Sequence, residues 1–546
     1  MPDRIIRNIV PLLALLLTLL CFVLGLTLSA AWFWPLVIFV PVLLLGIYDH
    51  FQRGWTITRN YPVAARIRWL FYTLRPFLRA YLVEDDIHGT PFSFKARNLV
   101  HERARGRTDT QPFGTELDTD SAKYEWFAHS IAPEPNPDQS PRVQVGTEQA
   151  SKPYSASLFN ISAMSFGALS ANAVRALNLG AREGNFYHDT GEGGLSQYHL
   201  EHGGDLVWEL GSGYFGARDK AGRFSPDAFA DNAIHEAVKM TEIKLSQGAK
   251  PGHGGLLPAA KVSEEIARVR QVPAHQDCLS PAGHSAFSTP IELMEFAARM
   301  RDLSGGKPVG IKLCVGQMHE PFALMKAILE TEILPDFIVV DGGEGGTGAA
   351  PQELSDWVGM PLMEGLVVMR NALVGCGLKD KIRLVASGKI YSGMGMANTL
   401  AQGADWCNAA RAFMFSIGCI QAQRCHLGTC PTGITTQDPH RQRGLIPEVQ
   451  GKRAARFHAE TLKSLAHIMS AVGVQHPRDL RPHMLMHRVG PGKALPIDEI
   501  KVFLPPKALL EAPDDTIYAD WWHAASASTF RPVREVRIKP TQAHSL

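Results

Sequence analysis

The chain has 546 residues, 45% of them hydrophobic, with 55 Lys and Arg against 53 Asp and Glu for a formal net charge of +2. That apolar fraction buries large cores and excludes a disordered polymer. Eight cysteines in so long a chain exclude a disulfide-built miniprotein, and the balanced charge offers nucleic acid no global basic field. Length allows several domains, or one large barrel with additions.

Ile9 to Tyr48, 40 residues, contains no Asp, Glu, Lys, Arg or His, twice the ~20 that one spanning helix needs. The break Ser29-Ala30-Ala31-Trp32-Phe33-Trp34-Pro35 divides it into two predicted spans, about Val10–Leu28 and Trp32–Tyr48. Trp32 and Trp34 suit an interface, as amphipathic rings do. Arg4 and Arg7 precede the first span, and Arg53, Arg59, Arg66 and Arg68 follow the second. Basic flanks on both sides predict a hairpin over residues 1–50, in an inner or plasma membrane, with both ends and the rest of the chain facing the cytoplasm. The other reading is a signal peptide cleaved near Ala30; the second apolar run begins where a mature domain should, and argues against it. The second span is short, which leaves an interfacial or tilted placement open.

Residues 51–150 read as a soluble collar and linker. Within it Ile67-Arg68-Trp69-Leu70-Phe71-Tyr72-Thr73-Leu74-Arg75 is amphipathic and basic, suited to anionic headgroups or to an ordinary exposed helix face. Pro133 to Pro141 is rich in Pro, Asn, Asp and Ser, a linker composition. From Ser155 short apolar, β-rich runs end in glycine-rich loops with helical stretches after them; Ser157–Ile161, Val309–Leu313, Phe337–Val340, Ile382–Val385 and Trp406–Ala409 are examples. Repeated strand–loop–helix units predict an α/β fold with a parallel sheet, and over residues 151–450 they suffice for a (β/α)8 TIM-type barrel. The unusual residues fall at strand ends, where such barrels carry their chemistry: Ser387-Gly388-Lys389, Asp341-Gly342-Gly343 and Lys312. Residues 451–546 read as a C-terminal extension, helical over Arg453–Val472 and then a polar, irregular tail.

Cys419, Cys425 and Cys430 form a C-x5-C-x4-C series closing on Cys-Pro. Thiolates packed this closely need a cation between them. Zinc would need a fourth ligand, which His426 could supply. An iron–sulfur cluster is another solution, three cysteines matching [3Fe-4S]. Three inert buried cysteines are the third reading. Cys21, Cys278, Cys314, Cys376 and Cys407 are scattered and read as packing.

Four loops complete the pattern: Ser162-Ala163-Met164-Ser165-Phe166-Gly167-Ala168-Leu169-Ser170, Asp189-Thr190-Gly191-Glu192-Gly193-Gly194, Gln247-Gly248-Ala249-Lys250-Pro251-Gly252-His253-Gly254-Gly255, and Val340-Asp341-Gly342-Gly343-Glu344-Gly345-Gly346-Thr347-Gly348. Glycine lets backbone approach a ligand closely. With the cysteine series, these motifs resemble the FMN-binding synthase domain of glutamate synthase over about Ser155 to Gly444. The chain resembles more closely the stand-alone, membrane-anchored members of the FMN-binding glutamate synthase family, which share its Glu84-Asp85-Asp86 and Pro112-Phe113-Gly114-Thr115.

The resemblance implies FMN and a [3Fe-4S] cluster as cofactors, with Cys419, Cys425 and Cys430 as the iron ligands. It places the FMN phosphate near Gly388 and Ala410-Arg411, where barrels hold phosphates. Further flavin contacts are implied at Met164, Ser165, Gly343, Gly346 and Ser387. Lys312 would stabilise negative charge on the reduced ring; a structural ion pair is the alternative reading for it. Lys244, Lys250 and Arg270 match the family's basic positions for 2-oxoglutarate and its iminoglutarate adduct, and Arg can grip a carboxylate bidentately. Glu192 matches the acidic position and is the candidate general acid, which requires its pKa to be raised. The implied reaction is reduction of the adduct of 2-oxoglutarate and ammonia to glutamate.

Two positions depart from the family. His253 and Leu256 stand where it usually carries Glu and Gln, and Leu256 cannot donate a hydrogen bond to a carboxylate. The same cofactors with another oxo acid or a quinone are therefore a rival reading, and a non-catalytic flavin-binding electron-transfer or scaffold protein is a third. A membrane hairpin stands where full glutamate synthases begin with a glutaminase domain, so ammonia is expected free or delivered. No G-x-G-x-x-G fingerprint follows a strand, so electrons are expected from an external donor, ferredoxin or a membrane carrier.

Overall fold

The computed structural model describes residues 7–107 and 109–536; Arg4, expected to flank the first span, lies outside them. The described chain divides into two compact units, one ending at Phe94 and the other beginning at Lys95.

In the first unit, helix α1 spans Ile9–Thr27. A 3-10 turn, Ala30–Phe33, capped by the Ser29 side chain, leads to α2, Leu36–Phe51. α1 and the stretch Ala30–Phe51 are both long and apolar enough to cross a membrane, with 11% and 6% of their most apolar windows buried. By length and composition both suit a bilayer. Asp49, at the end of α2, is fully buried. It accepts hydrogen bonds from the Val63 amide and the Arg66 guanidinium, which tether the start of α3, Arg66–Leu78. The basic amphipathic stretch expected over residues 67–75 lies within α3, which has no acidic residue in its first turn and buries none of its side chains.

The second unit is built on a closed barrel of eight parallel strands in sequence order: β1 Phe159–Ile161, β2 His188–Asp189, β3 Leu206–Leu210, β4 Val238–Lys244, β5 Val309–Leu313, β6 Phe337–Asp341, β7 Arg383–Ser387 and β8 Trp406–Ala409. β8 pairs with β1, Asn408 beside Asn160, and closes the barrel. Parallel strands buried on both faces read as continuous apolar runs, which is why β5, β6 and β8 were visible in the sequence. The predicted run Ser157–Ile161 is split. Ser157 ends a strand paired antiparallel with Arg142–Val145, and only Phe159–Ile161 enters the barrel.

Helices surround the strands. Those that bear on the site are α4 Ala171–Gly184, α5 Glu264–Arg270, α6 Gly393–Ala401, α7 Arg411–Ser416 and α8 Pro447–Val472. α8 packs against α4 and α6, the helices that follow β1 and β7. It thus takes the eighth place in the outer ring, and the cysteine series lies in the long connection between β8 and this helix. The barrel therefore reaches past residue 450, and the extension proper begins after Gly473. The tail expected to be irregular contains a hairpin, Leu485–Gly490 with Lys493–Pro496, whose first strand also pairs with Glu125–Phe127.

Candidate active site

Inside the barrel four charged side chains converge. Asp189 ends β2, Glu209 is on β3, Glu242 on β4 and Lys312 on β5. Carboxylate oxygens of the three acids lie within 4.8 Å of one another. Lys312 Nζ is 2.5 Å from Glu209 Oε2 and 3.9 Å from Glu242 Oε1, so an ammonium ion serves as cation to the acidic group. Burial opposes the charge on Lys312, but Glu209, Glu242 and Asp189 outweigh it and hold its pKa well above that of an ordinary lysine. The acids crowd each other: burial and then the charge of Glu209 push Asp189 up to about 8, and burial and Asp189 raise Glu242 well above a usual carboxyl. Lys312, the residue expected beside the flavin, also makes an ion pair with Glu209. Glu209 and Glu242 were missed in the sequence; the available signal was an acid interrupting the apolar strands Leu206-Val207-Trp208-Glu209-Leu210 and Val238–Lys244.

At the C-terminal ends of β2, β3 and β4 a cleft is lined by Glu192, Ser212, Lys244, Gln247, His253 and Gly255, among others. Lys244 Nζ lies 3.0 Å from Glu192 Oε1. Lys250 is buried and donates to the Ala349 carbonyl. Arg270, at the end of α5, donates to Ser165 Oγ at 3.3 Å and to the Phe166 carbonyl at 3.1 Å, and stacks over Phe215. Burial would raise the Glu192 carboxyl, but Lys244, Lys250 and Arg270 bring it down to about 2. The expected raised pKa is therefore not found, because three cations face one carboxylate; Glu192 is an anion at neutral pH. Burial lowers the pKa of Lys250. His284, also missed in the sequence, donates from Nε2 to the Lys244 carbonyl at 2.8 Å with its Nδ1 3.1 Å from the Tyr214 hydroxyl; burial brings its pKa down to about 4, so it is a neutral brace. His253 lines the cleft, and Leu256 is 41% exposed.

The glycine loops join around the barrel rim. The Gly248 amide donates to Asp341 Oδ2 at 2.8 Å, and Ser387 Oγ donates to Asp341 Oδ1 at 2.8 Å. A Cβ at Gly248 would stand 1.6 Å from the Gly342 carbonyl oxygen, so these two loops touch backbone to backbone. Gly388 has φ +149°, a conformation that side chains disfavour. Arg411, on the first turn of α7, donates to the Glu344 carbonyl at 2.7 Å, tying the loop after β8 to the loop after β6. Gly343, Gly346, Ser387, Gly388, Ala410 and Arg411 thus meet on linked loops after β6, β7 and β8. Met164 and Ser165 follow β1; Gly191 lies so near them that a Cβ there would sit 2.6 Å from the Ser165 amide nitrogen. These linked loops offer a flavin phosphate an arginine and tight glycine turns after the last strands, the place where such barrels bind phosphate.

All three thiols of the cysteine series are free. Gln421 and Gln423 adopt φ of 57° and 54°, and this curl turns the loop back on itself. The Gln421 amide donates to Cys419 Sγ at 3.4 Å, and Cys430 Sγ is 3.4 Å from Thr432 Oγ1. Burial pushes Cys419 up to about 12, with Cys425 and Cys430 adding to the effect. For Cys430 burial acts upward, but hydrogen bonds from Thr432 and Thr435 bring the thiol below its usual value. The donor set is three thiols on one loop, two of them with polar partners, and thiolates are the ligands that an iron–sulfur cluster requires.

A TIM-type barrel with a cation-lined mouth, glycine loops linked after its last strands and a cysteine series beyond β8 defines the class. Residues 112–475 match the conserved region in glutamate synthase, and the chain belongs to that family. The glutamate synthase large subunit-like protein YerD of Bacillus subtilis (strain 168) is 34% identical over 85% of this chain and 96% of its own length. The archaeal-type glutamate synthase [NADPH] of Thermotoga sp. (strain RQ2) is 34% identical over 58% of this chain, which spans 60% of that relative. Among solved structures, a flavocytochrome b2 variant with pyruvate bound has a TM-score of 0.40 at 14% identity, covering 77% of this chain and 85% of its own. The enzyme is an oxidoreductase of glutamate synthase type.

Proposed function

We propose that this is a membrane-anchored enzyme that uses FMN and a [3Fe-4S] cluster to reduce the imine adduct of 2-oxoglutarate and ammonia to glutamate, with electrons from an external donor, ferredoxin or a membrane carrier. The observation that carries the substrate class is the charge of the mouth: Lys244, Lys250 and Arg270 against Glu192 leave two positive charges, the complement of a dicarboxylate. Met164, Ser165, Gly343, Gly346, Ser387, Gly388, Ala410 and Arg411 would hold the FMN, and Cys419, Cys425 and Cys430 the cluster. When bound, the flavin would supply hydride and the cluster single electrons.

The protein's own part is placement and protons. Arg270 and Lys244 bind the two carboxylates, and Glu192 fixes the Lys244 ammonium. Ammonia adds to the carbonyl carbon and one of its protons passes to the oxygen; Lys250, its proton loosened by burial, gives a second from Nζ, so that the C–O bond breaks, water leaves and the protonated imine remains. Lys312, held protonated by Glu209 inside the barrel, stands ready to meet negative charge on the reduced flavin. The two apolar helices hold the enzyme at a bilayer with the barrel on the cytoplasmic side.

The test is an anaerobic stopped-flow experiment on protein whose flavin and iron have been measured, with about three irons per chain expected for three thiolate ligands. After reduction, oxo acids are added with and without ammonium while flavin absorbance is followed. Reoxidation by 2-oxoglutarate only with ammonium supports the proposal. The second reading, another oxo acid or a quinone, rests on His253 lining the cleft and on Leu256 offering no donor; reoxidation by such a compound and not by 2-oxoglutarate with ammonium establishes it instead.

A further inference from the structure

Lys261 is a buried lysine that the chemistry above does not use. It ends the 3-10 turn Ala259–Lys261, between the Lys250 loop and α5, and is 5% exposed. Its Nζ donates to the Cys425 carbonyl at 2.7 Å. Its stem packs on the cysteine loop, with Cε 3.6 Å from where a Gly428 Cβ would be. Among the described residues no carboxylate lies within salt-bridge distance of it, whereas Lys312 has Glu209 and Lys244 has Glu192. A buried ammonium is costly without a counter-charge. The segment that its ammonium meets is the cysteine loop itself, at the carbonyl of Cys425.

We infer that Lys261 is the counter-ion of the centre held by Cys419, Cys425 and Cys430 and sets its reduction potential, as a positioning residue and not an iron ligand. The inference rests on the iron–sulfur reading above. One electron from the external donor adds one unit of negative charge to the thiolate-bound centre, with no bond made or broken. A fixed positive charge beside it stabilises the reduced form more than the oxidised form and raises the potential. The same residue ties the cysteine loop to the chain that leads through the Ser263 cap of α5 to Arg270, so the charge also fixes the distance between the cluster loop and the substrate cations.

The test compares the full-length wild type with Lys261→Gln and Lys261→Arg. Iron and acid-labile sulfide are quantified, and the midpoint potential is measured by a redox titration followed by electron paramagnetic resonance. Lys261→Gln is expected to keep its iron and shift to lower potential, on the scale of a tenfold change in the ratio of oxidised to reduced centre, about 59 mV for one electron. Lys261→Arg is expected to stay near wild type. Loss of iron in Lys261→Gln but not in Lys261→Arg also supports a charge requirement. Iron-loaded Lys261→Gln at the wild-type potential overturns the inference and leaves the cluster reading intact, as does loss of iron in both variants, which would assign Lys261 a purely steric role. Wild-type protein without iron overturns the cluster reading, and this inference with it.

Discussion

Single residues carry most of the electrostatic design. Lys250 has no carboxylate of its own and faces Glu192 together with Lys244 and Arg270. General acid catalysis contributes typically about 10²–10⁴-fold. Lys250→Met is therefore expected to lower kcat by about that factor in steady-state assays, with KM for the oxo acid little changed and flavin content unchanged. Glu192, held down to about 2, is ionised from pH 5 to 9, so the pH–rate profile over that range is not expected to report its titration. Asp189 behaves oppositely. With its folded pKa raised to about 8 by burial and Glu209, the folded state holds a proton that the unfolded chain releases near 3.9. Stability contributed by this group is complete below the unfolded value and is lost as pH rises toward 8. The urea midpoint of the barrel should fall between pH 5 and 8, and Asp189→Asn should flatten that fall.

Among the elements, the contact between α4 and α8 closes the ring of helices. Small residues make it possible: a Cβ at Gly180 would meet Ala454 Cβ at 2.7 Å and the Gly451 carbonyl at 2.9 Å. Overpacking such a crossing costs typically about 1–3 kcal/mol, occasionally more. Gly180→Val is expected to lower the denaturation midpoint without touching the cation set, and an unchanged midpoint would show that the two helices can separate freely. The long connection before α8 explains why this helix reads in the sequence as an appendage. Its apolar spacing was legible over Arg453–Val472, but its partner, α4, lies more than 260 residues earlier in the chain.

For the whole molecule, the first unit presents two apolar helices and a basic one, and the second is an enzyme body. Full-length protein is expected to stay with membranes after alkaline carbonate washing, and a variant lacking residues 9–51 to move to the supernatant. A mature chain starting just after Ala30 would instead establish signal cleavage. The parallel barrel was legible because strands buried on both faces become apolar runs; β2, with only His188–Asp189, is too short to show any period. The cation set and the cysteine series were also legible, since residue type and local spacing are properties of the chain itself.

Composition, the 40-residue uncharged run and the local motifs determined the class of this protein, because hydrophobic length and the ligand chemistry of side chains do not depend on distant neighbours. The tertiary structure decided ionisation and pairing. Whether Glu192 is an acid or an anion depends on three cations brought from other segments, whether Lys312 is free or paired depends on carboxylates from three other strands, and the proximity of Lys261 to Cys425 spans 164 residues of sequence. Charges interact through space, and only folding sets those distances.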